Sequence, residues 1–176
     1  VRLSVGESSL TESFEILKDK RSMSSKDDLK EQFEFLIGIR DKVTDIHRAI
    51  KQIRSTRDQL NSLNGKLDDS HEEISNSIKD VVNRITEIEE NLYQTKNRSG
   101  QDPLNFPIRL NNKLAHLSSV SGRGNFRPTD QMYGVRDELV ELIDLELEKW
   151  NKIKESELDK INTMILENNI QLISIK

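Results

Sequence analysis

The sequence predicts a mainly α-helical protein, an elongated antiparallel helical bundle with a small N-terminal β-hairpin. Apolar residues recur at alternating three- and four-residue steps over most of the chain, which is the spacing of one buried helix face. Only 34% of the residues are hydrophobic and 33% are charged, a balance that suits helices which each keep a solvated side. Aromatic residues make up 5% of the chain, which also favours a thin bundle over a wide core.

Two short strands are predicted at the N-terminus. Apolar and polar residues alternate over residues 1–5, and after an interruption at residues 6–9 the apolar residues Leu10, Phe14 and Ile16 follow at even-numbered positions. An isolated hairpin is marginal in water, so these strands need a sheet that the chain does not contain in full. The alternative is an unstructured tail. We therefore divide the chain into a β segment, residues 1–20, and a helical bundle, residues 21–176.

The first long helix is predicted over residues 26–66. Ser24 and Ser25 precede acidic first-turn residues, as N-cap residues do. The following residues form its apolar face: Leu36, Ile39, Val43, Ile46, Ile50, Ile53, Leu60 and Leu67.

The second helix is predicted over residues 71–97, after a short linker that makes it antiparallel to the first. Its apolar face is regular: Ile74, Ile78, Val81, Ile85, Ile88 and Leu92.

Two breaks follow. Prolines, a glycine and several Asx and Ser residues interrupt the helical pattern over residues 98–107, and Pro107 suits the first position of a third helix over residues 108–121. After a second break, Thr129 is a good N-cap for a fourth helix over residues 130–167. Residues 170–175 are predicted to form a short strand or an extended tail.

Helix lengths suggest how these elements pack. At ~1.5 Å per residue the first and fourth helices are each about 60 Å long, and the second and third laid end to end match them. This favours three long columns, the middle one broken at residues 98–107. The alternative, slightly less favoured, folds the third helix back on the second as a short fourth element.

Composition excludes several functions. The chain has no cysteine, so disulfides and thiolate chemistry are excluded, and its net charge of −4 offers no basic footprint for nucleic acid. No apolar run is long enough to cross a membrane. The three histidines lie far apart without metal-binding spacing, and the carboxylates alternate with Lys and Arg on helical faces. We expect no enzyme activity, no metal and no cofactor.

The residues around the breaks are the candidate functional residues. Asn111 and Asn112 lie between core leucines, and we expect them to bond the free backbone groups of a broken neighbouring helix at the bend that contains Pro107. The turn of residues 122–130 brings Arg123 and Arg127 to the helix start at Thr129. This makes it the best candidate for a small anion site, although an ordinary interhelical turn is the favoured interpretation.

The same residues resemble a known family. Asn105-Phe-Pro-Ile-Arg-Leu-Asn-Asn-Lys-Leu-Ala115, with Gly122, Pro128-Thr129 and Asp137-Glu-Leu139, is similar to the C-terminal region of bacterial sortilin-like β-propeller proteins, often catalogued as BNR-repeat glycosyl hydrolases. Val1-Arg-Leu-Ser-Val-Gly6 and Phe14-Glu-Ile-Leu-Lys-Asp19 resemble the last strands of the Ig-like domain that precedes this region. The family tends to have Asp-Pro-Arg where this chain has Asp19-Lys-Arg21.

The resemblance implies a secreted or cell-envelope parent from a Bacteroidota-like bacterium, located extracellularly, in the periplasm or in the envelope. Any hydrolase chemistry would then lie in the propeller. The first functional hypothesis is a non-catalytic spacer or interaction module that binds a protein partner or itself. The second is an accessory substrate-binding part of a glycoside hydrolase-like parent, and a weaker third is a stand-alone coiled-coil adaptor.

Overall fold

The structure, a computed structural model, describes residues 1–170 and is mainly helical with an N-terminal hairpin, as predicted. The short strand or extended tail predicted for residues 170–175 lies, except for Ile170, outside the described residues. The strands are β1 (Arg2–Val5) and β2 (Ser8–Thr11); the helices are α1 (Lys26–Asn64), α2 (Glu72–Leu92), α3 (Leu110–Ser121), α4 (Asp130–Lys152) and α5 (Leu158–Glu167). A π segment (Ile153–Glu157) joins α4 to α5, and 3-10 turns at Asp69–His71 and Asp102–Leu104 lie in the connections.

The second and third helices lie one after the other along α1. Near the start of α1, the Gln32 amide donates a hydrogen bond of 2.8 Å to the carbonyl of Ser121 at the end of α3. Farther along α1, Arg54 and Arg57 bind Glu89 of α2. The middle column is therefore two helices in line, antiparallel to α1, and the fold-back alternative does not describe this chain.

The last column runs parallel to α1. Successive contacts between α1 and α4 advance in the same direction along both helices: Glu31 with Tyr133 (2.9 Å), Lys42 with Asp144 (2.7 Å) and Gln52 with Trp150 (3.2 Å). The three columns thus run up, down and up, as the helix lengths predicted.

The core is a line of aliphatic side chains shared by the three columns. All six residues of the predicted α2 face are buried, and on α1 the buried apolar residues are Phe35, Ile39, Ile46, Ala49, Ile50, Ile53, Leu60 and Leu63. Each fully buried side chain of this kind stabilises the fold by roughly 1.5–3 kcal/mol before entropy is counted. Val135 and Leu142 of α4 are exposed, because a bundle of three columns leaves one side of that helix uncovered.

Both predicted N-caps are confirmed. The Ser25 hydroxyl accepts from the Asp28 amide at 3.0 Å, and the Asp28 carboxylate accepts from the Ser25 amide at 2.8 Å, so the two form a capping box. The Thr129 hydroxyl accepts from the Met132 amide at 3.3 Å. Each cap satisfies backbone donors that the first helical turn cannot pair internally.

The boundaries of the central break differ from the prediction. The second helix ends at Leu92 rather than at residue 97, because Tyr93 is extended (φ −140°, ψ 142°). The third helix begins at Leu110 rather than at residue 108, so Pro107 precedes the helix and does not occupy its first position. The break is therefore longer than predicted, and residues 93–109 connect the two helices.

The hairpin lies apart from the core. Leu3 pairs with Leu10 and Val5 with Ser8, and Gly6, at φ +59°, begins the two-residue turn, a conformation that glycine adopts without strain. The second strand ends at Thr11, short of the predicted residues 12–16. Every residue from Val1 to Arg21 is exposed, so the bundle covers none of them.

Acid should weaken the α1 cap. Hydrogen bonds from the Ser25 hydroxyl and amide hold the pKa of Asp28 below its usual value. A lowered folded-state pKa contributes stability above the unfolded-state pKa and loses it as pH falls through the folded value. We expect Asp28→Asn to flatten the pH dependence of unfolding on the acid side of the usual aspartate pKa, measured by urea titrations at several pH values. The exposed control Asp27→Asn should keep the wild-type slope; equal slopes in wild type and Asp28→Asn would contradict this assignment.

Candidate functional site

A buried ion cluster links the C-terminal end of α2 to α1. Glu89 is 1% exposed, and its carboxylate accepts from Arg54 Nε at 2.6 Å and from Arg57. The Arg54 guanidinium also lies 5.3 Å from the ring centroid of Tyr93, a cation–π distance. A buried carboxylate is costly unless it is paired, so this cluster ties the end of α2 to one level of α1.

Gln94 joins the two ends of the break. Its side-chain amide donates to the carbonyl of Pro107 at 2.7 Å, and its side-chain oxygen accepts from the backbone amide of Lys96 at 3.2 Å. Gln94 is only 5% exposed, so both bonds are shielded from water. The backbone bonding that the sequence suggested for the asparagine pair is made by this glutamine, and no pattern in the sequence distinguishes it from a surface residue.

The two asparagines behave differently from each other. Asn111 is buried and its amide nitrogen lies 3.4 Å from Nε2 of His47, a contact between side chains rather than with the broken backbone. Asn112 is exposed and has no hydrogen-bond partner within the described residues. Asn112 therefore cannot hold the bend in the way that the sequence suggested.

The turn of residues 122–129 is an interhelical connection. Arg127 pairs with Glu31 at 3.0 Å, and the Tyr133 hydroxyl donates to the same carboxylate; burial, followed by this hydrogen bond, raises the pKa of Tyr133. Gln32 binds the carbonyl of Gly124, and Thr129 caps α4. The Arg127 charge is thus met by Glu31. Arg123 is exposed and joins none of these contacts.

The four arginines of α1 pair with acids. Arg54 and Arg57 share Glu89, and two further arginines bind acids on their own helix: Arg40 with Asp41 at 2.6 Å and Arg48 with Asp45 at 2.9 Å.

The surface has grooves between helices. One groove of about 540 Å³ follows the line between α2 and the π segment with α5, and its wall includes Glu73, Asp80, Glu157 and Lys160. Residues 1–170 contain no group of three or more side chains arranged to hold a metal ion. Within the same residues, no helix is both long enough and apolar enough to cross a membrane.

Exposed apolar side chains lie in two places of interest. The hairpin and the segment after it expose Val1, Leu3, Val5, Leu10, Phe14, Ile16 and Leu17. The uncovered side of α4 exposes Val135, Leu142 and Leu145. Exposed apolar groups that recur on one face mark interaction surfaces more often than scattered single residues do.

Comparison with known proteins adds no relative. No protein-family model matches the chain, and searches of the curated proteins and of the solved structures find no match either.

Removing the Gln94 side chain should loosen the break. Gln94→Ala leaves the Pro107 carbonyl without its donor, and we expect the free energy of unfolding to fall by roughly 1–3 kcal/mol. Amide hydrogen exchange over residues 93–109 should accelerate. The matched control is Asn112→Ala, which removes an exposed amide nearby and should change neither quantity. Equal effects of the two substitutions would contradict the role given to Gln94.

Proposed function

We propose that this chain is a non-catalytic helical spacer and interaction module, placed at the C-terminus of a larger secreted or cell-envelope β-propeller protein. The observation that carries the proposal is the hairpin. Side chains alternate between the two faces of a strand, so Val1, Leu3, Val5 and Leu10 share one face, and each of them is 63–75% exposed. The other face is polar.

A two-faced hairpin of this kind suits the outer layer of a sandwich. Sandwich strands point apolar side chains at the opposite sheet and polar ones at water. Two strands alone bury too little to be stable in water, so a further sheet is needed to cover the apolar face. This supports the assignment of residues 1–20 as the last strands of an Ig-like domain, which the resemblance to propeller proteins also implies.

The bundle then acts as a rigid arm. The three packed columns are about 60 Å long. They therefore separate a domain joined through the hairpin, before α1, from a partner bound at the other end or on the sides of the bundle. The module requires no catalytic group, and hydrolase chemistry, where the parent has it, belongs to the propeller. A protein partner or a second copy is the expected ligand.

The alternative, an accessory substrate-binding part of a glycoside hydrolase-like parent, depended on the turn at residues 122–130. Both arginines of this turn are exposed, but the Arg127 guanidinium is paired with Glu31, and no specific observation favours this function.

Deleting residues 1–20 tests whether the hairpin belongs to another unit. We expect the helical circular dichroism signal and the unfolding midpoint of the bundle to stay at wild-type values, because these residues are not covered by it. As the control, Ile161→Ala, at a site 3% exposed, should cost roughly 2–5 kcal/mol. A loss of stability on deletion comparable with that control would refute the two-unit arrangement.

A second measurement addresses the parent. We expect the gene to encode a β domain immediately before Val1, and amide exchange over residues 2–11 should slow when that domain is present. Unchanged exchange, or the absence of such a domain, would refute the proposed context.

A further inference from the structure

The uncovered side of α4 has its own heptad seam. Six exposed positions follow one another at steps of 3, 4, 3, 4 and 3 residues: Val135, Glu138, Leu142, Leu145, Lys149 and Lys152. The apolar members are 48%, 43% and 51% exposed in the order Val135, Leu142 and Leu145. This spacing is that of alternating a and d positions, which face a partner helix in a coiled coil. We call these six positions the outer seam.

The other side of α4 already serves the core. Leu139, Ile143 and Trp150 are buried against the other columns, so the outer seam is additional to the seam that folds the bundle. One apolar side of a helix is enough to pack it into its own bundle, so the second apolar side of α4 is available to a partner. The outer seam ends where the π segment begins at Ile153, because the wider turn of a π helix rotates the face that follows.

The charges of the outer seam are complementary to those of the same seam in a second, antiparallel copy of the chain. The acid, Glu138, lies before the two leucines and the bases lie after them. In an antiparallel pair related by a twofold axis between residues 143 and 144, Leu142 meets Leu145 of the second copy. Glu138 then meets Lys149 of the second copy, and Val135 meets the aliphatic stem of Lys152. The symmetry repeats each contact.

A parallel pair is disfavoured by the same charges. It would place Glu138 against Glu138 and Lys149 against Lys149, and like charges across an interface are repulsive. Glu138 and Lys152 make no ion pair within the part of the chain that the structure describes. Lys149 donates to Glu146 at 2.8 Å, and its ammonium group has further donors for a second carboxylate.

We propose that the outer seam of α4 is the interface of an antiparallel homodimer. The inference rests on the proposed function as an interaction module and goes further by naming the partner, a second copy, and its register. Two leucine layers flanked by ion pairs form a small interface, so the dimer should dissociate on dilution.

Charge exchange tests the register. In sedimentation equilibrium, wild type should dimerise with rising concentration, and Glu138→Lys should weaken the dimer by about tenfold, because the twofold axis repeats one exposed ion pair. The double variant Glu138→Lys/Lys149→Glu should recover wild-type affinity, since the opposite charges meet again. The matched control is Asp137→Lys, the same reversal of an exposed charge on the residue beside Glu138, at a c position of the heptad that faces away from the partner helix, which should dimerise as wild type does.

Each other outcome overturns the proposal. A wild type that stays monomeric up to millimolar concentration refutes the interface. An Asp137→Lys dimer as weak as the Glu138→Lys dimer refutes the location of the interface, and a double variant without recovery refutes the register. Thermal melts in dilute solution check that each variant still folds, which matters most for Lys149→Glu because of its neighbour Glu146.

Cross-linking gives an independent measure of direction. The chain has no cysteine, so a Leu142→Cys chain can be mixed with a Leu145→Cys chain of different mass and oxidised. Antiparallel pairing predicts mixed disulfide dimers that form faster than either self-pair, and faster self-pairs would indicate a parallel dimer and refute the proposal. Failure here leaves the hairpin deletion informative, because that experiment measures the stability of the monomer.

Discussion

The structure depends on the apolar face of α1, which contacts both other columns along its length. It packs against α2 and then α3 on one side, and against α4 on the other. Because α1 has 39 residues and no interruption, it sets the height of the bundle, and the broken middle column is held in line by it. Without this continuous face, α2 and α3 would have no common surface to follow, and the chain would lose the long shape on which its proposed role as a spacer depends.

Polar side chains decide where the middle column breaks. Glu89 is fixed by two arginines of α1, and Gln94 binds the carbonyl of Pro107 across the connection. Buried groups of this kind are costly when they lack partners, so they favour the register of α2 against α1 that pairs them. The apolar residues make the bundle stable, and the polar ones select this arrangement among the several that an apolar stripe allows.

Sequence reasoning predicted the order of the elements, the hairpin, the two N-caps and the α2 face, because those features depend on local periodicity and local hydrogen bonding. It missed Gln94 and overvalued Asn112, because helical spacing tells which face a residue shares but not which backbone carbonyl approaches it. It extended the second helix to residue 97. In the structure this helix ends at Leu92, because Tyr93 and Gln94 make tertiary contacts instead of continuing it. It could not divide the apolar positions of α4 between a core face and an outward face, since that division depends on how many columns surround the helix.

These points connect the fold with the proposed role. A rod whose core is complete leaves its hairpin and one side of α4 as surfaces that still expose apolar groups at regular spacing. The first matches a sheet and the second matches a helix, so the two surfaces suit different partners. Through the hairpin the bundle can join one domain, and through the exposed side of α4 it can associate with another chain at the same time.

The in-line middle column can be measured as one distance. Spin labels on Glu72→Cys and Ser119→Cys, both exposed sites in a chain without cysteine, mark the start of α2 and the end of α3. Electron double resonance should give about 45 Å, the rise of roughly 30 residues of α1 that separate the two levels. A distance near 20 Å would mean that α3 folds back on α2, and it would contradict the three-column structure.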